Sequence, residues 1–267
     1  MLPAKKHVRL RCAGMDVMGF RKPDFLGIGV QKGGTTTLHA LLDQHPGVML
    51  PSRKELQYFS LHFNLGQAWY CSQFASANSS QLLGEITPYY SFHPLAPQRI
   101  WSLCPEVKLI LLFRDPVDRT LSHLFHSYRL GLESLPPIEA LQAETARLLY
   151  STKKVLRGEL NQSHQEHSYT SRSCYEVQLS RYEAFFPKEQ ILILRSEDLF
   201  CNPEHTWKDV QNFLELDHIN LPYMPRANAG NNEANLIPKS LRESLRFKFR
   251  NTYQQMENMY NITWDTD

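Results

Sequence analysis

Between Phe25 and Leu42 the chain reads FLGIGVQKGGTTTLHALL: an apolar run, a lysine, two glycines, three threonines and the start of a helical pattern. Glycines between a strand and a helix let backbone N–H groups converge on an anion, and the helix N-terminus adds its positive dipole end. Thr35, Thr36 and Thr37 supply hydroxyl donors in the first turn, and Lys32 supplies a charge. In the usual nucleotide phosphate loop the lysine follows the last glycine and precedes Ser or Thr. Here Lys32 comes before Gly33 and Gly34, and Thr35 stands where that lysine would be. A glycine turn capped by threonine is the plain alternative. The complete order of strand, basic residue, glycines, hydroxyls and helix favours an anion site.

A second constellation lies in KLILLFRDPVDRTLSHLFHSY. Arg114 ends an apolar run that reads as a buried strand, the end at which open parallel sheets bind ligands. Ser122 follows in the next helix, whose start is marked by Asp115-Pro116. An ion pair of Arg114 with Asp115 or Asp118 is the competing explanation. By itself Glu55 in PSRKELQYF reads as half of an exposed Lys54-Glu55 pair; Glu85 at the end of LLGE is placed to support Lys32 or contact a substrate; and His62, His93, His123 and His126 fall near these segments as candidate bases. The pairs His123/His126 and His164/His167 have helical spacing, but neither has a third ligand in a recognisable metal motif, so no metal site is expected.

Four short apolar runs must position these groups: 25–30, 82–85, 108–113 and 190–195. Helical patterns alternate with them, which predicts an α/β, three-layer, P-loop-like fold with a central parallel sheet flanked by helices. His45-Pro46 should stop the first helix, because the residue before proline is pushed out of helical geometry. Residues 136–160 read as one helix, 161–173 as a polar loop, 222–238 as a long Pro/Asn/Gly loop, and the C-terminal pattern from Leu241 to Tyr260 as one closing helix. With no internal repeat or linker, the expected organisation is an N-terminal extension, 1–24, and one domain, 25–267.

A hydrophobic content of 42% with 21% charged residues is ordinary for a soluble globular protein. A net charge of +2 gives no global argument for nucleic acid or membrane partners, so any anion site must be local. Cys12, Cys71, Cys104, Cys174 and Cys201 are odd in number and lack CxxC pairs, which suits free thiols in a reducing compartment. The basic N-terminus lacks the apolar core of a signal peptide, and no apolar run approaches the roughly 20 residues of a membrane span. A cytoplasmic location is the expectation. Asn78, Asn161 and Asn261 begin N-x-S/T sequons, which carry little weight without secretion.

GVQKGGTTTL resembles the 5′-phosphosulfate loop of sulfotransferases that use 3′-phosphoadenosine 5′-phosphosulfate (PAPS), and FRDPVDRTLSHL is similar to their 3′-phosphate segment. Softer parallels follow in order: SRKELQYFS (52–60), GEITPYY (84–90), residues 173–199, and an Asn/Gly-rich loop before a closing helix. Order and spacing resemble the branch of the heparan sulfate sulfotransferase domains and their bacterial relatives. The resemblance implies that Lys32 stabilises the leaving group and that Gly33, Gly34, Thr35, Thr36 and Thr37 hold the 5′-phosphate. It gives the 3′-phosphate to Arg114 and Ser122, a closing contact over the nucleotide to Arg226, Asn228 and Gly230, and the role of base to Glu55.

The implied reaction moves a sulfuryl group from PAPS to a hydroxyl or amine and releases PAP, the adenosine 3′,5′-bisphosphate product. Two departures count against heparan sulfate as the acceptor. Ile86 follows Glu85 where those enzymes carry a lysine, and residues 222–241 lack their cysteine pair. The implied acceptor is a small-molecule, carrier-bound or saccharide hydroxyl or amine. A P-loop kinase with a deviant loop and a non-catalytic PAP-binding module are the alternatives. Oligomeric state is not legible.

Overall fold

The computed structural model describes residues 19, 21–224 and 237–264. The expected runs fold as β1 (Phe25–Gly29), β3 (Leu82–Ile86), β4 (Lys108–Phe113) and β5 (Ile191–Arg195); Val48–Met49 adds a short β2 at one edge. The sheet order is β2-β3-β1-β4-β5 and every pairing is parallel. A two-residue strand carries too little periodicity to be seen in sequence.

Strand side chains alternate between faces, and both faces are covered. From β4, Leu109, Leu111 and Phe113 enter one apolar cluster, with Ile100 and Leu103 of α3 (Ala96–Leu103) and Tyr175, Leu179 and Tyr182 of α8 (Tyr175–Glu183). Ile110 and Leu112 enter the other, with Leu38, Leu41 and Leu42 of α1 (Thr35–Asp43) and Trp207, Val210 and Leu214 of α10 (Pro203–Leu214). This gives helix, sheet and helix layers. A third cluster joins α4 (Pro116–Arg129), α5 (Pro137–Leu148) and α11 (Lys239–Lys248) through Val117, Leu121, Leu124, Ala140 and Leu245.

The helix after β1 ends at Asp43 with Gln44 as its C-cap, just before His45-Pro46. Residues 136–160 do not form one helix but two, α5 and α6 (Ser151–Leu156), and the closing pattern likewise divides into α11 and α12 (Arg250–Tyr260) around Phe249. Phe249 is fully buried, so the break lets both helices use one anchor. The polar stretch 161–173 is not a solvated loop. It contains α7 (Gln162–Glu166), and His164, Ser168, Tyr169, Thr170, Arg172 and Ser173 are buried. Glu144 is the reason: its carboxylate accepts from the backbone N–H and hydroxyl of both Thr170 and Ser171, at 2.7–2.8 Å, and so satisfies polar groups that would otherwise need water. The remaining helices are α2 (Gly66–Ser72), before β3, and α9 (Ser196–Cys201), directly after β5.

Candidate active site

The carboxyl ends of β1, β3, β4 and β5 meet at one edge of the sheet, and the loops leaving them line two adjoining cavities. β1 carries a register shift against β4 between Gly27 and Gly29, a bulge that bends the strand into its loop. Gly33 lies so close under β4 that a Cβ there would sit 2.3 Å from the Leu112 carbonyl oxygen. Gly34, with φ +96°, is the left-handed N-cap of α1, and its carbonyl takes the first helical bonds, from Thr37 and Leu38. The N–H groups of Gly34, Thr35 and Thr36 precede that first acceptor and are left without intrahelical partners.

Lys32 also has a left-handed backbone, φ 71°. Burial and the nearby charges of Arg129, Arg114, Arg119 and Lys54 lower its ammonium to a pKa of about 8. Among the described residues no carboxylate forms an ion pair with it. A half-buried cation beside a row of N–H groups without intrahelical partners is an arrangement that can hold an anion.

The larger cavity, about 720 Å³, is lined by Lys32, Gly34, Thr35, Thr36, Thr37, Arg114 and Ser122. Gly33, also singled out in the sequence, does not line it, and Thr36 already accepts from Lys54 Nζ at 2.7 Å. The ion pair of Arg114 with its neighbours does not form. Asp118 pairs with Arg242 at 2.9 Å, and Asp115 caps α4 through the Asp118 N–H and accepts from Tyr253. Ser196, Glu197, Phe200 and Cys201 complete the cavity from α9. Sequence reasoning missed them, and only their position just after a predicted strand could have flagged them. Glu197 ties the cavity together by accepting from the Asp115 N–H and the Trp264 indole.

A second cavity of about 190 Å³ lies alongside, lined by Gln57, Tyr89, His123, Ser127, Leu132 and Gln165 among others. Gln31, Glu55, Pro88 and His126 line both cavities. Glu55 therefore sits at the seam, with its side chain 40% exposed and Lys54 Nζ 3.9 Å away. Burial of the rest pushes its carboxyl above the ordinary value, against the opposing pull of Lys54, the Gln57 hydrogen bond and Arg172. Glu55 and Gln57 share φ 57°. Five non-glycine residues with positive φ are described; Glu215 and Asn261 are helix C-caps, whereas Lys32, Glu55 and Gln57 face these cavities. Left-handed non-glycine backbone costs about 1–3 kcal/mol and persists where surrounding contacts enforce it.

Around Leu56, between Glu55 and Gln57, Glu85 supplies such a contact. It neither meets Lys32 nor lines either cavity. At 2% exposure its carboxylate accepts from Tyr90 (2.7 Å), Thr87 (2.8 Å), Tyr70 (3.1 Å) and the Leu56 N–H (3.3 Å). The last bond pins the residue after Glu55. Burial raises the Glu85 carboxyl, and its donors act to keep it ionised. Stranding these buried donors would cost about 1–3 kcal/mol each.

The imidazoles separate clearly. His123 is buried, and burial with Arg172 and Arg119 nearby holds it neutral. His126 at the seam is lowered by burial, Lys32 and Arg129. His164 bonds Tyr89 at 2.7 Å, and His93 packs edge-on to Tyr89, so both belong to the wall behind. Among the described residues no three His, Cys, Asp or Glu side chains gather to hold a metal. Arg226, Asn228 and Gly230 lie outside the described residues.

Residues 22–247 match the sulfotransferase domain family, and the chain belongs to it. A crystal structure of a sulfotransferase from Alicyclobacillus acidocaldarius shares the fold with a TM-score of 0.73, at 24% identity over 91% of this chain and 97% of that one. Mouse sulfotransferase SULT7A1, solved with PAP, matches with a TM-score of 0.55 at 14% identity, over 90% of this chain and 87% of that one. Among relatives, the membrane-associated sulfotransferase kil1 of Dictyostelium discoideum is 29% identical over 74% of this chain. Mouse heparan sulfate glucosamine 3-O-sulfotransferase 6 is 29% identical over 81% of it. The matches span 57% and 60% of those two relatives' own lengths.

Proposed function

We propose that the chain is a PAPS-dependent sulfotransferase that transfers the sulfuryl group in line to a hydroxyl or amine. The observation that carries this reading is the seam: Glu55 lines both the cavity of the glycine loop and its neighbour. The unpaired N–H groups at the α1 start and the uncompensated Lys32 fit a 5′-phosphosulfate. Arg114 and Ser122, across the same cavity, fit a 3′-phosphate. The PAP bound in the SULT7A1 structure supports the same ligand class. Phe200, 49% exposed beside Gly34, offers a flat apolar face to a base.

PAPS supplies an activated sulfuryl group. The acceptor oxygen or nitrogen bonds to sulfur as the bond from sulfur to the bridging oxygen breaks. The acceptor's proton passes to the Glu55 carboxylate, and the bridging electron pair stays on the 5′-phosphate, where the Lys32 ammonium offsets the developing charge. Because Glu55 must be ionised, the rate should fall as pH is lowered through its raised pKa.

Ligand sites commonly measure about 300–1,000 Å³. The second cavity, at about 190 Å³, admits the reacting end of a small-molecule, carrier-bound or saccharide acceptor rather than the whole of it. Ile86, in place of the lysine that the heparan sulfate enzymes carry, is buried and faces away from both cavities, against Gly27. This disfavours heparan sulfate. Cys104, Cys174 and Cys201 are free thiols, which supports a cytoplasmic setting; subcellular fractionation tests it.

Mass-resolved transfer from PAPS to a panel of alcohols and amines, in EDTA, tests the activity. Sulfonated product is expected. Phosphate transfer from ATP that requires Mg²⁺ would replace the reading with a kinase, and PAP binding without transfer to any acceptor would replace it with a binding module.

A further inference from the structure

Arg172 is a buried cation, 4% exposed, bound only to neutral oxygens. Its Nε donates to Ser168 Oγ at 2.7 Å, and Nη2 donates to the carbonyls of Gln165 (2.6 Å) and His164 (3.3 Å). The guanidinium lies over the rings of Tyr89 and Phe92, 4.8 and 5.2 Å from their centroids. Burial lowers its pKa to about 10. A buried charge without a carboxylate is costly and needs dense hydrogen bonding to persist. Its remaining bond leaves this packed wall: Nη1 donates to Gln31 Oε1 at 2.6 Å.

That bond fixes a donor at the reaction centre. Gln31 precedes Lys32 and is one of the residues that line both cavities. A guanidinium can only donate, so the Gln31 oxygen must face Arg172 and the NH₂ must face the other way. Among the described residues Gln31 Nε2 has no partner. It is a donor held in one orientation at the seam that Glu55 also lines.

Building on the sulfuryl transfer proposed above, we infer that Gln31 Nε2 donates to a non-bridging oxygen of the sulfonate as it crosses from donor to acceptor, with Arg172 as the positioning residue. Gln31 exchanges no proton. The acceptor's proton still passes to Glu55, and the bond from sulfur to the bridging oxygen still breaks toward Lys32.

Gln31→Glu separates this role from a structural one, because it keeps and strengthens the bond to Arg172 while removing the N–H donor. The expected result is an undiminished Tm and a PAP affinity within about twofold of wild type. PAPS should bind roughly tenfold more weakly without acceptor, and kcat should fall on the order of 10²-fold, the usual loss for one oriented donor. Arg172→Lys keeps the charge but not the fork, so it should lower kcat about tenfold. Adding Arg172→Lys to Gln31→Leu should cost nothing further, since the two act as a unit. Near wild-type kcat in Gln31→Glu, or additive losses in the double variant, would overturn the inference while leaving the transferase reading intact. A wild-type chain that moves no sulfonate from PAPS would overturn both.

Discussion

Two cavities share one seam, yet their walls come from very different lengths of chain. The larger draws Lys32, Gly34, Thr35, Thr36 and Thr37 from a single strand–loop–helix passage and Arg114 and Ser122 from a second. The smaller collects Gln57 from the loop after β2, Tyr89 from the turn after β3, His123 from α4 and Gln165 from α7. A phosphate can be held by backbone N–H groups, which any sequence provides once glycine permits the turn. A reacting hydroxyl needs side chains at set distances, and those must be brought in by packing. Binding of the donor should therefore depend on local residues, and transfer on contacts that reach across the fold.

Lys32→Ala should break the comparison most severely, because Lys32 lines only the larger cavity yet is proposed to stabilise the leaving group. Its kcat is expected to fall by about 10²–10³-fold or more, with a smaller loss in PAP affinity. Near wild-type transfer would sink the mechanism. Glu55→Gln should lower kcat by about 10²–10⁴-fold and leave PAP affinity unchanged, as calorimetry and single-turnover rates would report. If PAP affinity and rate fell together, the seam would not separate binding from transfer.

Arg114→Ala should do the reverse. Loss of a charge-assisted hydrogen bond of about 1.5–3 kcal/mol weakens PAP by roughly 10–100-fold, with kcat at saturating PAPS largely kept. An equal affinity for adenosine 5′-phosphate, before and after the change, would tie the loss to the 3′-phosphate.

The smallest expected effect is on pH. Burial and nearby cations lower the Lys32 ammonium of the free chain to a pKa of about 8, and a bound phosphate should raise it again. PAP affinity should hold below that pH and decline above it, at most tenfold per unit, with net proton uptake on binding. Calorimetry in buffers of different ionisation heat measures the uptake. A flat affinity from pH 7 to 9.5 would show that Lys32 does not face the phosphate.

The loop at 32–37 and the Arg114/Ser122 pair stand out in the sequence because their residues lie close together and the proposed chemistry needs fixed spacing. The four main strands were legible as apolar runs. Glu85 was visible as a carboxylate after a strand, but its hydrogen bonds to Tyr70, Tyr90, Thr87 and Leu56 follow no local pattern. The stretch 161–173 misled because polarity reads as solvent exposure. Its polar groups are instead satisfied internally by Glu144 and Arg172.

By itself, then, the sequence determined the parallel α/β plan, the glycine loop with its displaced lysine between β1 and α1, and the arginine at the end of β4. Periodicity and glycine placement are properties of neighbouring residues. Tertiary structure alone decided that Glu55, Gln31 and His126 meet at one seam, and that a buried arginine orients an amide there. Those contacts join residues far apart in the chain, and burial, which only the folded packing creates, sets their protonation and direction.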